Sequence, residues 1–461
     1  MMSSLLARIR GLRAPLVLVA FFAVTGIVEA ADSTTYLIRA TRVYPVASAP
    51  IDNGQVLLRD GRIVAVGTAL DAPPDARVVD VQGSLVPGFI DGGSILAVRG
   101  NAAEEFIEMT PDIRVVDTLD LDDEYLHDAL LAGVTTVAVG PGDRNVIGGL
   151  GTVIRTAPGS LKESIVLEEA FLAVCITEVA TYSNITMRRT APYSSFHRQP
   201  TTRMGTVFLA RRAFFEALSL PVEDDPGDLQ LSRPEDGSLQ QMLTAEGKET
   251  LHRIVKARKT IRFRADEQQE IIAALRIASE FELSVVLEGC LEAVDVIDEI
   301  VKQKADVLIA PGAFMSFSME PARNQLHDQA RPLEAANVRF AFYSDFGGYV
   351  PSLREFVALD IRFGLSEERA LRALTLDAAH ILGIADRTGS IEAGKEAHLV
   401  ALSGEPFASA AKVLWTMSAG KMGEDDVTVP IEATSKPPEP DASANSEHSK
   451  NSSTYSQKAT P

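Results

Sequence analysis

The chain has 461 residues, 46% of them apolar and 23% charged, and carries a net charge of −19. That length exceeds one small domain and suits a barrel of roughly 250 to 300 residues with an accessory domain. An acidic surface field of this size excludes nucleic acid and anionic lipid as natural partners.

At the start, Arg8, Arg10 and Arg13 precede the apolar run APLVLVAFFAVTGIV, and the triplet VEA ends at Ala30. Positive region, short hydrophobic core and small-residue site in that order read as a secretory signal over residues 1–30. The run falls short of the ~20 apolar residues that a membrane span needs. The expectation is therefore a protein exported to a periplasm or secreted, with no membrane span once the signal is removed.

Residues 31–84 read as strands and turns (YLIRATRVYPV, GQVLLRDGRIVAVG, ARVVDVQGS), with Asp60-Gly61 as a hairpin turn. From 85 to 388, short apolar runs alternate with amphipathic helical text. The strand candidates are LVPGFID, VTTVAVG, GTVIRT, AFLAVCITE, TIRFRAD, SVVLEG, ADVLIAPG and VRFAFYSD. Alternation of that kind predicts a closed barrel of parallel strands wrapped by helices, the (β/α)8 architecture. Residues 179–255 fit the pattern poorly and read as an insertion over the active face. Residues 389–425 return to strand and hairpin text, which predicts a small composite β-sandwich domain formed from both chain ends. The polar, Pro/Ser-rich residues 426–461 read as a disordered tail. Cys175 and Cys290 lie in apolar runs and read as buried free thiols, with pairing left open.

Several stretches, in order, resemble the amidohydrolase superfamily, and within it the imidazolonepropionase-like group: GQVLLRDGRIVAVG, LVPGFID, LLAGVTTVAVGPG, NVIGGLGTVIRT, TRMG, YSDFGG and the long run GLSEERALRALTLDAAHILGIADRTGSIEAGKEAHLVAL. The likeness spans about Leu37 to Lys421. It implies a TIM-like barrel with a composite β-domain, and metal-dependent hydrolysis of C–N bonds. The implied ligands stand at the carboxyl ends of the strands: an HxH pair after the first, often a Lys or acid on the fourth, one His each on the fifth and sixth, and an Asp on the eighth. Such metals bring bound water to a pKa of about 7.

Position by position, those ligands are missing. The HxH positions hold Gly93 and Ile95, the fourth strand offers Ala173, with Glu178 at its end, and the fifth and sixth hold Arg264 and Gly289. Asp345, in YSDFGG, survives. None of the seven histidines (127, 197, 252, 327, 380, 398, 448) is spaced as a ligand pair. Asp91, Asp266, Glu288 and Asp345 form a possible acidic cluster at the strand ends, whose oxygen ligands would favour Mg or Ca over Zn. Arg264, aimed into the same space, opposes a cation there and is expected to pair with Asp345. The glycine-rich GPGDRNVIGGLGTVIRT matches no nucleotide fingerprint and reads as a loop lining the barrel mouth.

The expectation is an exported barrel with a dismantled metal site and no cofactor, binding a ligand or a partner through Arg264, Glu178, Asp266, Glu288 and Asp91. A homo-oligomer, or a hetero-oligomer with an active relative, follows from the resemblance. The alternative is an active C–N hydrolase, holding Zn or another divalent metal on an atypical site or working without metal through Asp345 as base. A purely structural envelope protein tethered by its tail is the third reading.

Overall fold

The structure is a computed structural model that describes residues 34–104, 107–181, 200–219, 243–311, 329–345 and 347–422. The signal and tail readings fall outside these residues, as do His197, His327 and His448.

Both chain ends build one sheet. Strands β1 (Thr35–Val43), β2 (Ile51–Asp52), β3 (Gln55–Arg59), β4 (Arg62–Gly67) and β5 (Arg77–Pro87) come from the amino-terminal side. The expected hairpin joins β3 to β4: Asp60 and Gly61 both take positive φ, 52° and 75°, as a two-residue primed turn requires. The composite domain, expected as a sandwich, is hydrogen-bonded into a single sheet ordered β16-β15-β14-β5-β1-β3-β4, with β2 on β1. Its carboxyl-terminal strands are β14 (Leu399–Leu402), β15 (Val413–Ser418) and β16 (Lys421–Met422). Its core gathers Ile38, Val56, Leu58, Val79, Leu399 and Trp415.

LVPGFID, expected as one strand, is divided between the two sheets: β5 ends at Pro87 and β6 (Phe89–Ser94) opens the barrel. Gly88 joins the two strands, and a side chain does not fit there, because a Cβ would lie 2.2 Å from Thr135 Oγ1. The remaining barrel strands are β7 (Val134–Val139), β8 (Ile147–Arg155), β9 (Ile165–Cys175), β10 (Thr260–Ala265), β11 (Ser284–Gly289), β12 (Asp306–Ile309) and β13 (Phe340–Phe342). They pair in chain order, and a parallel bridge from Ser94 to Asp345 brings the ends together.

The barrel is not all-parallel. GTVIRT lies in β8, which is antiparallel to both β7 and β9. The reason is chain length. Only residues 140–146 join β7 to β8, too few for the dozen or so that a parallel crossover needs. The glycine-rich segment is correspondingly strand rather than loop for much of its length. Gly151 of β8 faces a ring: a Cβ there would lie 2.1 Å from Phe171 Cζ.

Helices follow the remaining strands. In α1 (Glu124–Leu131), Leu126, Ala129 and Leu130 turn inward at helical spacing, and Asp123 caps the amino end. Helices α2 (Arg203–Leu218) and α3 (Ala245–Lys256) come from the stretch expected to overhang the mouth. Their apolar faces (Leu209, Ala213, Phe214, Leu251, Ile254) instead join the core between strands and outer helices. In α4 (Gln268–Glu280), Ile271, Ala274, Leu275 and Ala278 do the same. Inside the barrel, Ile90, Val153, Phe171, Val286, Leu308, Ala341 and Tyr343 pack with Ala378, Ala379 and Ile381 of a short helix, Leu376–Ile381. Among the described residues no helix is long and apolar enough to cross a membrane.

Candidate functional site

Strand alternation sends Arg262 and Arg264 of β10 to the same side, into the barrel. Arg262 is 4% exposed, and its guanidinium carbon lies 3.6 Å from the centroid of the Phe171 ring. Its Nη1 pairs with Glu288 Oε2 of β11 at 3.3 Å. Burial pulls this guanidinium below the ordinary arginine range, and Glu288 and Asp91 oppose that pull.

Arg264 stands one layer nearer the mouth. Its Nε donates to Asp266 Oδ1 at 3.2 Å, and its Nη1 faces Asp143 Oδ2 at 3.4 Å and Glu288 Oε1 at 3.8 Å. The Tyr343 ring is 5.6 Å away. Burial works against the Arg264 charge, but Asp266, Tyr343, Asp143 and Asp345 outweigh it and hold the group firmly protonated. Pairing with Asp345 was the expectation. Among the described residues the carboxylates within ion-pair distance are instead Asp143, Asp266 and Glu288. Asp266 sits two residues along the same chain, and Glu270 of α4 fixes it by accepting from the Asp266 and Glu267 amides at 2.9 and 3.0 Å. Burial raises the Asp143 and Asp266 carboxyls.

Asp345 has φ 64°, tolerable for Asp. Its amide donates to Gly93 O at 3.0 Å and its carbonyl accepts from Ile95 N at 3.2 Å. It therefore helps to close the barrel. Asp91 lies beneath, fully buried. Its Oδ1 accepts from the amides of Gly93 and Ser344 at 3.1 and 3.0 Å, and its Oδ2 accepts from Ser344 Oγ at 2.5 Å. Burial pushes its carboxyl up to about 7, against those hydrogen bonds and Arg262. Glu178 is apart from this group: it is exposed and pairs with Arg203 at 3.1 Å.

At both glycines that stand at missing ligand positions a side chain would meet an arginine, tightly at Gly93 and with a clash at Gly289. A Cβ on Gly93 would lie 3.0 Å from Arg262 Nη1. A Cβ on Gly289, at φ +89°, would lie 2.0 Å from Asp266 Oδ1 and 2.8 Å from Arg264 Nε. The two arginines thus fill the volume that ligand side chains would occupy, and they bring positive charge into it. These residues do not fit a catalytic metal. Among the described residues no three of His, Cys, Asp and Glu are grouped to hold one.

Cys175 and Cys290 are buried free thiols, both raised by burial. Cys175 ends β9 and Cys290 follows β11, the strands on either side of β10, and two strand spacings separate them by about 10 Å, beyond disulfide reach. Arg262, Asp143 and Phe171 were not singled out from sequence. The signal for Arg262 was available: in TIRFRAD it precedes Arg264 by two.

The sequence profile of the amidohydrolase family matches residues 248–423. The imidazolonepropionase of Kosmotoga olearia is 26% identical over 383 residues, 76% of this chain and 84% of that protein. That of Symbiobacterium thermophilum is 26% identical over 396 residues, 77% and 85% of the two chains. The crystal structure of an amidohydrolase from Thermotoga maritima superposes with a TM-score of 0.73 at 28% identity, covering 84% of this chain and 99% of the other. The chain belongs to the amidohydrolase superfamily. Within the superfamily it groups with the imidazolonepropionase-like proteins, with Arg264 at a position where the resemblance implies a ligand.

Proposed function

We propose that this superfamily member is exported and no longer hydrolyses C–N bonds through a metal, and that it works by binding a ligand or a partner, an active relative among them. The observation that carries the reading is the pair of guanidinium groups in the side-chain volumes of positions 93 and 289. Two buried cations, each matched to carboxylates, form a closed electrostatic unit in place of a metal-ligand set. The basic and apolar order of residues 8–30 supports export.

The test is metal content of the untagged protein after exposure to Zn, Mn and Mg, together with turnover of imidazolone, cyclic amide and dipeptide substrates. The expected result is metal well below one equivalent and no turnover. Near-stoichiometric metal that Asp345→Ala removes, accompanied by hydrolysis, would overturn the reading.

A second reading has its own observation. Asp345 makes no ion pair among the described residues, and Arg264 Nη1 is buried without a hydrogen-bond partner. Asp345 as base toward water and Arg264 as donor to a developing oxyanion would constitute metal-free amide hydrolysis. Turnover that persists in EDTA and disappears in Asp345→Asn would establish it.

A further inference from the structure

We propose a second ligand site, between the composite β-domain and a barrel helix, that takes a small aliphatic cation: a primary ammonium on a short hydrocarbon chain. A cavity of about 630 Å³ opens there, within the range of small-molecule sites. Its walls are the end of β1 with the following loop, the helix Glu367–Ala373, and residues 405–407. It shares no residue with the barrel-mouth cluster.

Charge selects the ligand. Two arginines line the cavity, and both are engaged. Arg42 lies between Asp52 at 3.6 Å and Glu405 at 3.9 Å, and Tyr44 donates its hydroxyl to Glu405. Arg372 donates from Nε to Asp377 at 3.0 Å, a carboxylate it shares with Arg369 at 2.8 Å. Glu367 and Glu368 line the same cavity and form no ion pair among the described residues. Glu367 stands near enough to Tyr44 to oppose its ionisation. Three glutamates (367, 368 and 405) therefore face two arginines (42 and 372) around the cavity, and the excess of negative charge favours a cation over an anion.

Shape adds the hydrocarbon. Val46, Leu371, Pro406 and Phe407 supply the apolar part of the wall, and Val46 and Phe407 are packed onto the buried core. A chain of four or five methylenes laid there gains about 0.8 kcal/mol for each CH2 removed from water. Its ammonium would make charge-assisted hydrogen bonds to Glu367 and Glu368. This site is independent of whether the barrel mouth hydrolyses anything, so neither proposal falls with the other.

The experiment is calorimetric titration of the full chain at neutral pH with n-pentylamine, and with n-pentanol and pentanoate as isosteres. The expected result is saturable binding of one amine per chain, no binding of pentanoate, and weaker binding of pentanol. The Glu367→Gln/Glu368→Gln variant, at two exposed positions, should weaken the amine by about tenfold or more. Ala47→Trp should block it by filling the cavity. Equal binding of the three probes, or undiminished amine binding by the double glutamine variant or by Ala47→Trp, would each refute the assignment.

Discussion

Asp91 offers the sharpest test of how this barrel is held shut. Its carboxylate is fully buried on β6, and its hydrogen bonds from the Ser344 amide and hydroxyl tie the first barrel strand to the segment after the last. Burial raises the folded-state value to about 7, whereas an unfolded Asp titrates near 3.8. A raised acid favours the folded state while it is protonated. Its contribution is therefore complete below the unfolded value and is lost as pH rises through the folded one. At about 1.4 kcal/mol per unit, the gap of about three units amounts to about 4 kcal/mol between pH 4 and pH 7. Asp91→Asn removes the titration and keeps the geometry. The amide oxygen accepts the two backbone N–H groups as before, and the amide nitrogen donates to Ser344 Oγ. Urea unfolding from pH 4.5 to 8, run on both proteins, should show the wild type losing stability relative to the variant as pH rises. The difference should level off above pH 7, with the variant the more stable. Parallel curves across that range, or a variant less stable at pH 8, would refute the buried-acid account.

Gly289→Ala places a Cβ at a positive φ and 2.0 Å from Asp266 Oδ1, displacing the Arg264 partner. Positive φ and a broken buried pair together cost about 3 kcal/mol or more, read as a lowered denaturant midpoint. Arg264→His alone should bind no zinc by elemental analysis, because positions 93, 95 and 289 still offer no donor. Glu396 joins barrel to β-domain, accepting from Arg155 at 2.7 Å, Arg387 at 2.9 Å and His398 at 3.2 Å. Burial opposes its charge, yet those bonds hold its carboxyl well below the usual range. Glu396→Gln should therefore lose about 3 kcal/mol at neutral pH. That deficit should shrink as pH falls below the unfolded value of about 4, where the wild type begins to lose the same contribution; chemical unfolding at pH 7 and pH 3 reads both arms.

Much of the site was legible because strand periodicity is local. Once TIRFRAD is a barrel strand, alternation alone points Arg264 inward, and the same rule applied two residues earlier would have found Arg262. Asp143 was not legible: it reaches Arg264 from the β7–β8 loop, and only the reversal of β8 decides where that loop turns. Phe171 was not legible either. Its role depends on Gly151 of the neighbouring strand leaving space for the ring on which Arg262 rests.

The sequence by itself determined the barrel, the composite domain and that positions 93, 95, 264 and 289 hold no histidine, since periodicity, turn chemistry and residue identity are properties of short stretches. Tertiary structure decided what took the ligands' place. Whether a glycine marks an empty position or one filled by a neighbouring strand's arginine depends on distances across the barrel, and those exist only once residues far apart in the chain have packed. The same holds for ion-pair partners: Asp266 reaches Arg264 locally, but Glu288 meets it because strand register, which no single strand carries, pairs the two residues, and Asp143 because of where the β7–β8 loop turns.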